Sequence, residues 1–128
     1  MPAPASFDYA ILRVLPRVER QEFINAAVIA FCPELRFLDA RVHLDTARLT
    51  ALWPDADIEI IRNHLDAIPR ICQGDPTAGP IARLSQRERF HWLISPRSTI
   101  IQPSPVHTGV CDSTDNLLDH LAQQFLLP

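Results

Sequence analysis

The chain contains no lysine; all 12 of its basic residues are arginine. A guanidinium does not deprotonate in proteins, so it cannot serve as a Schiff-base nucleophile or stand in for an ammonium proton donor. That absence removes the phosphate-loop NTPases, a protein-kinase active site within this chain, pyridoxal-phosphate enzymes built on an internal lysine, and nucleases whose metal site includes one. Arginine in every basic position fits a nucleotide-composition bias better than a functional demand. Glycine is scarce as well, and Gly74, Gly79 and Gly109 write neither a glycine-rich phosphate cradle nor a dinucleotide fingerprint. No apolar run approaches the ~20 residues of a membrane-spanning helix. Cysteine is limited to Cys32, Cys72 and Cys111, an odd set at wide spacing without a C-x-x-C pair, which suits free buried thiols better than a disulfide framework. His43, His64, His91, His107 and His120 form no pair at helical or strand spacing, so neither a metal nor a cofactor is expected.

What is present describes one domain. A chain of 128 residues, 47% hydrophobic, buries roughly two-thirds of its unfolded surface around a single core. Asp and Glu number 15 against the 12 arginines, for a net charge of -3. This balance weighs against a general electrostatic grip on nucleic acid and leaves room only for a local arginine patch. The opening Met1-Pro2-Ala3-Pro4-Ala5-Ser6 has no charged segment followed by an apolar one. A cytoplasmic protein without membrane association is expected, with residues 1–6 as a disordered tail and 7–128 as one α+β domain.

Residues 7–15, closed by Pro16, are rich in β-branched, aliphatic and aromatic side chains on both alternation sets, as in a strand covered on two faces. Residues 23–32 interleave small and large apolar side chains and predict a central strand, and 35–42, with more mixed faces, a strand nearer an edge. Together they predict an antiparallel meander. After Leu44 the period changes to helical: Asp45 or Thr46 caps a short helix that Pro54 ends. Ile58, Ile61, Leu65, Ile68 and Cys72 form one stripe of a second helix, which Pro69 should kink or break. Residues 73–80, dense in Gly and Pro, predict a mobile loop. Ser85-Gln86-Arg87-Glu88 matches a capping box for a helix from Gln86 to about Leu93. Strand segments follow at 98–102 and 106–110, and Asp112 or Ser113 caps a last helix with Leu118, Leu121, Ala122 and Phe125 inward. This order favours an antiparallel sheet, three N-terminal strands plus one or two C-terminal ones, against about four helices.

Several polar side chains stand where polarity is costly or concentrated. Arg13 lies mid-strand on the side of Tyr9, Ile11 and Leu15, so it requires either a salt bridge, with Glu22 or Asp39 as neighbours, or an anionic ligand. Glu22 and Asn25 open the second strand, where each can serve structure or a ligand. Arg87, Arg89 and His91, followed by Arg97 and Ser98, gather the components of a phosphate or carboxylate site. Two prolines hold Ser104 and His107 on a stiffened segment of the kind that presents recognition groups. A Ser-His-Asp triad can be drawn from Ser98 or Ser104, His107 and Asp112, but no nucleophile elbow accompanies it.

Phe7-Asp8-Tyr9-Ala10-Ile11-Leu12-Arg13, Glu22-Phe23-Ile24-Asn25-Ala26-Ala27-Val28 and the run from Arg97 to Gly109 together resemble the bacterial family catalogued as domain of unknown function 3037. The resemblance spans nearly the whole chain and carries no catalytic residue with it. It implies a partner or accessory role, because genes of the family often lie beside one encoding a kinase-like protein related to the toxin HipA, as in toxin–antitoxin or kinase-accessory pairs. Two functional readings follow. In one, the chain is a non-catalytic module that binds a protein partner, which the missing catalytic equipment favours. In the other, Arg13, Arg89, Arg97, His107 and Glu22 converge on a phosphorylated or nucleotide ligand, with His107 or Glu22 as general acid or base.

Overall fold

The computed structural model describes residues 4–96 and 99–127. Its elements are β1 (Ala5–Val14), β2 (Ile24–Cys32), β3 (Phe37–Val42), α1 (Thr46–Leu52), α2 (Ile58–Cys72), α3 (Gln86–Leu93), β4 (Ile101–Pro103), β5 (His107–Cys111) and α4 (Leu117–Phe125). The strands form one antiparallel sheet in the order β3-β2-β1, and β4 and β5 both pair with the far side of β1. The fold is α+β. The meander follows from short connections between apolar runs; β1 takes in Ala5 and Ser6, which the sequence pattern leaves in the tail.

Side-chain alternation divides the core into two layers. Ala10, Leu12 and Val14 of β1, with Ile29 and Phe31 of β2 and Leu38 and Ala40 of β3, face α2 and α3. Ala5 and Phe7, with Val28, Ala30 and Cys32, face Leu117, Leu118, Leu121 and Ala122 of α4. A bulge interrupts this pattern: Leu12 pairs with Ala27 but Arg13 pairs with Asn25, so Ala26 has no partner. The extra residue reverses the phase of β2. Ala26 and Ala27 therefore both join the α2 layer, and Asn25 turns to the α4 side, where its Nδ2 donates to the Phe125 carbonyl at 3.2 Å. The Ala26 carbonyl stays paired on the β3 side, accepting from the His43 amide at 2.8 Å.

The other neighbour of β1 is broken at nearly the same level. Leu12 pairs with Pro103 and Tyr9 with His107, so Ser104, Pro105 and Val106 face only Ala10 and Ile11. Pro105 has no N–H to offer a ladder. Ser104 compensates: its amide donates to the Ile11 carbonyl at 2.7 Å, and its hydroxyl accepts from the Ile11 amide at 2.9 Å while donating to the Pro105 carbonyl. Ser104 is buried and is the joint of an interrupted edge strand.

The helices correct two sequence expectations, at Pro69 and at the start of α4. Pro69 does not break α2, which continues to Cys72; the proline forfeits one hydrogen bond in the last turns, and burial of Ile68, Ile71 and Cys72 carries the helix past it. Residues 73–80 are turn-rich as expected, with a 3-10 turn at Pro76–Ala78 and another starting at Pro80, and Asp75 accepts from the Thr77 amide and hydroxyl while Arg70 donates to both residues. Neither Asp112 nor Ser113 caps α4, whose N-cap is Asn116 without a side-chain bond; Ser113 instead accepts from the Asp115 amide in the turn before it. The Ser85–Glu88 capping box and the Asp45 cap form as predicted.

Ser104→Ala leaves the buried Ile11 amide without an acceptor, and a buried orphan donor costs about 1–3 kcal/mol. Urea unfolding of the variant should show that loss with an unchanged denaturant slope; a loss below about 0.5 kcal/mol would mean the hydroxyl is not the amide's essential partner.

Candidate functional site

The sheet separates the candidate polar residues. α3 packs on one face through Phe90 and Leu93, so Arg87, Arg89 and His91 belong to that side. Arg13 and Asn25 are cross-strand partners on the opposite, α4 side. Arg97 and Ser98 lie outside the described residues.

Within the α3 group, Arg89 works inside the protein. Its Nη1 donates to the Leu84 carbonyl at 2.6 Å and its Nη2 to the Cys72 carbonyl at 3.2 Å, tying the end of α2 to the start of α3. Arg87 is exposed, with its guanidinium carbon 5.5 Å from the centroid of the Phe31 ring, a cation–π contact at the surface. His91 is exposed, and its carbonyl accepts from Ser95.

On the other face, Glu22 does not meet Arg13; it pairs with Arg20 in the open, and Asp39 accepts from the Ala40 amide. The neighbours suggested by sequence as salt-bridge partners are thus both engaged elsewhere. Arg13 instead places Cζ 4.4 Å from the centroid of the Phe23 ring, and its Nε is buried without a hydrogen-bond partner. His107 is exposed on β5, its ring 5.4 Å from that of Tyr9, which also meets Phe125 at 5.7 Å. The described members of the phosphorylated-ligand reading therefore do not meet in one hollow: Arg89 stands across the sheet from Arg13, and Glu22 belongs to a separate exposed ion pair.

A different surface has the shape of a site. Between α2, the end of α3 and the β1–β4 edge runs an apolar groove of about 680 Å³. Its floor is Leu12, Ile101 and Pro103; one wall is the α2 flank with Ile60, His64, Ala67 and Ile71; Trp92, Thr99, Ile100 and Val18 complete it. α2 lies against β3 and α3 against α2, and the groove opens beside them toward β4, with Leu12 of β1 buried at its base. Three large apolar side chains at its lip are substantially exposed, Ile60 at 54%, Trp92 at 40% and Ile100 at 39%. Residues of these types are ordinarily buried, and here three of them cluster beside a hollow as an exposed apolar patch. Sequence reading missed this surface because it sought charged groups. The available signal was Ile60, one position off the α2 core stripe, together with Trp92 and the Ile100–Ile101 pair.

A second hollow of about 590 Å³ lies between β5 and the start of α4, with Asp112, Asp115 and His120 on its walls. Among the described residues no three His, Cys, Asp or Glu side chains stand together as metal ligands. The thiols are free. No helix among the described residues is long and apolar enough to cross a membrane.

These features define a small α+β domain whose antiparallel sheet carries helices on both faces and an open apolar groove on one. Residues 9–126 match the family described as Protein of unknown function (DUF3037), and the chain belongs to that family. No curated protein and no solved structure matches it.

Burial pushes the Cys72 thiol up to about 12, with the Asp39 charge adding to the rise and Arg89 opposing it. A folded pKa above the unfolded value contributes stability that is complete below the unfolded pKa and lost as pH rises through the folded one. Stability should therefore fall between about pH 9 and 12, and Cys72→Val should flatten that decline in urea unfolding at stepped pH. An equally steep decline in the variant would assign the alkaline loss to other groups.

Proposed function

We propose that this chain is a non-catalytic interaction module that binds a protein partner through the groove between α2, α3 and β4. The observation carrying this reading is the exposed apolar lip of Ile60, Trp92 and Ile100 around a hollow of about 680 Å³. Such a surface gains by losing water, at roughly 25 cal/mol per Å² of apolar area covered. Tryptophan at the centre of a contact is the residue type most enriched among those that dominate binding energy. Two features support a protein ligand over a reaction: among the described residues the groove's side-chain polar groups are His64, Thr99 and the Trp92 indole N–H, and no described arginine or acid lines it. The first partner to test is the HipA-like kinase encoded beside family members, which would make the chain an accessory to a kinase or toxin–antitoxin pair.

Calorimetric titration of the chain with that kinase should give a saturable complex. Trp92→Ala should weaken it by about 2 kcal/mol or more, the range of interface hot spots, which is about thirtyfold in Kd. Ile60→Asp should weaken it comparably, with circular dichroism unchanged for both. Equal affinity of both variants and the parent would move the contact away from the groove, and absence of any complex would reject this partner.

A further inference from the structure

We infer that Arg13 is a binding site for a carboxylate, on the face of the sheet opposite the groove and independent of it. Three observations carry the assignment. First, the guanidinium has no internal counter-charge: the ion pairs among the described residues are Arg17–Glu19, Arg20–Glu22, Arg41–Asp119 and Arg70–Asp75, and none includes Arg13. Its cross-strand neighbours Asn25 and Gln102 are uncharged and supply no counter-charge, and neither accepts from its Nε. Second, its Nε is buried with no acceptor. An arginine cannot shed its proton, so such a group is a standing cost that a fold reduces by supplying an acid or by replacing the residue. Third, the Phe23 ring lies 4.4 Å from Cζ and meets the cation with its π face, a contact that gives the N–H groups no lone-pair acceptor.

The geometry also selects the ligand class. The Nε and Nη edge of a guanidinium forks onto two oxygens of a planar acid. One unpaired cation neutralises one negative charge, which matches a carboxylate better than a phosphate dianion. Phe23 stands immediately before β2 and is 44% exposed, so the ring and the guanidinium stacked on it can shift to open the buried Nε–H edge to the acid without breaking a ladder bond.

The test is a two-dimensional ¹H–¹⁵N spectrum of the arginine Nε region, with the Arg13 signal assigned by its loss in Arg13→Met. Sodium acetate is titrated against sodium chloride at matched ionic strength. The Arg13 signal should shift saturably and more than that of any other arginine; a linear or uniform response would overturn the site, and a response to inorganic phosphate without one to acetate would overturn the carboxylate assignment. N-acetylglutamate amide is run in parallel, and a lower midpoint for it than for acetate assigns the acid to a protein side chain, the reverse order to a free small molecule. In chloride buffer Arg13→Met should raise Tm by about 2 °C or more, since it removes an uncompensated buried donor, and acetate should no longer raise it further. A lower Tm would show that the guanidinium is satisfied within the fold and would reject the inference.

Discussion

The register break around residues Ala10 to Arg13 of β1 is the constraint on which both candidate surfaces depend. A strand buried on both faces tolerates no slip, because moving it by one residue exchanges its two sets of side chains. β1 nevertheless carries a bulged neighbour on each side, at Ala26 of β2 and at Ser104–Val106 of the edge strand. The Ser104 hydroxyl closes the edge interruption by taking the Ile11 amide, while at the β2 bulge the Ala26 carbonyl stays paired on the β3 side with the His43 amide. Because both irregularities fall at one level, the strand behind them keeps its alternation. Leu12 forms part of the groove floor, and Arg13, the next residue, projects to the opposite face beside Asn25.

The two layers are finished to different degrees. α4 is fixed through the Asn25–Phe125 and Arg41–Asp119 contacts as well as by leucine packing. The exposed ion pair contributes less than ~1 kcal/mol, so burial of Leu117, Leu118 and Leu121 does most of the holding. On the other face α2 and α3 crowd toward β3, joined by the Arg89 bracket between the Cys72 and Leu84 carbonyls. Beside them, toward β4, an apolar trough stays open. Ile60, Trp92 and Ile100 stand exposed at its lip.

Much of the architecture was legible in the sequence, for identifiable reasons. The meander showed itself because residues 7–15 and 23–32 are apolar on both alternation sets, and α3 because Ser85 and Glu88 stand at capping-box spacing. The bulges were hidden: Ala26 and Ala27 are both small, so either register fits the pattern. Pro69 misled because a proline's local cost was weighed without the burial of Ile68, Ile71 and Cys72. Among the candidate site residues, the separation of Arg13 from Arg89 could not be read, since it depends on which helix covers which face of the sheet. Ser104 was noticed for its prolines, yet those prolines are the reason its hydroxyl is needed by the backbone.

The most direct measurement of the central claim, that the open apolar groove between α2, α3 and β4 is the partner-binding surface, is methyl spectroscopy of isoleucine- and leucine-labelled chain with and without the HipA-like kinase. The methyl signals of Ile60, Ile100, Ile101 and Leu12 should change together while those of Leu118 and Leu121 under α4 hold still. Changes concentrated at α4, with the groove methyls unmoved, would contradict it.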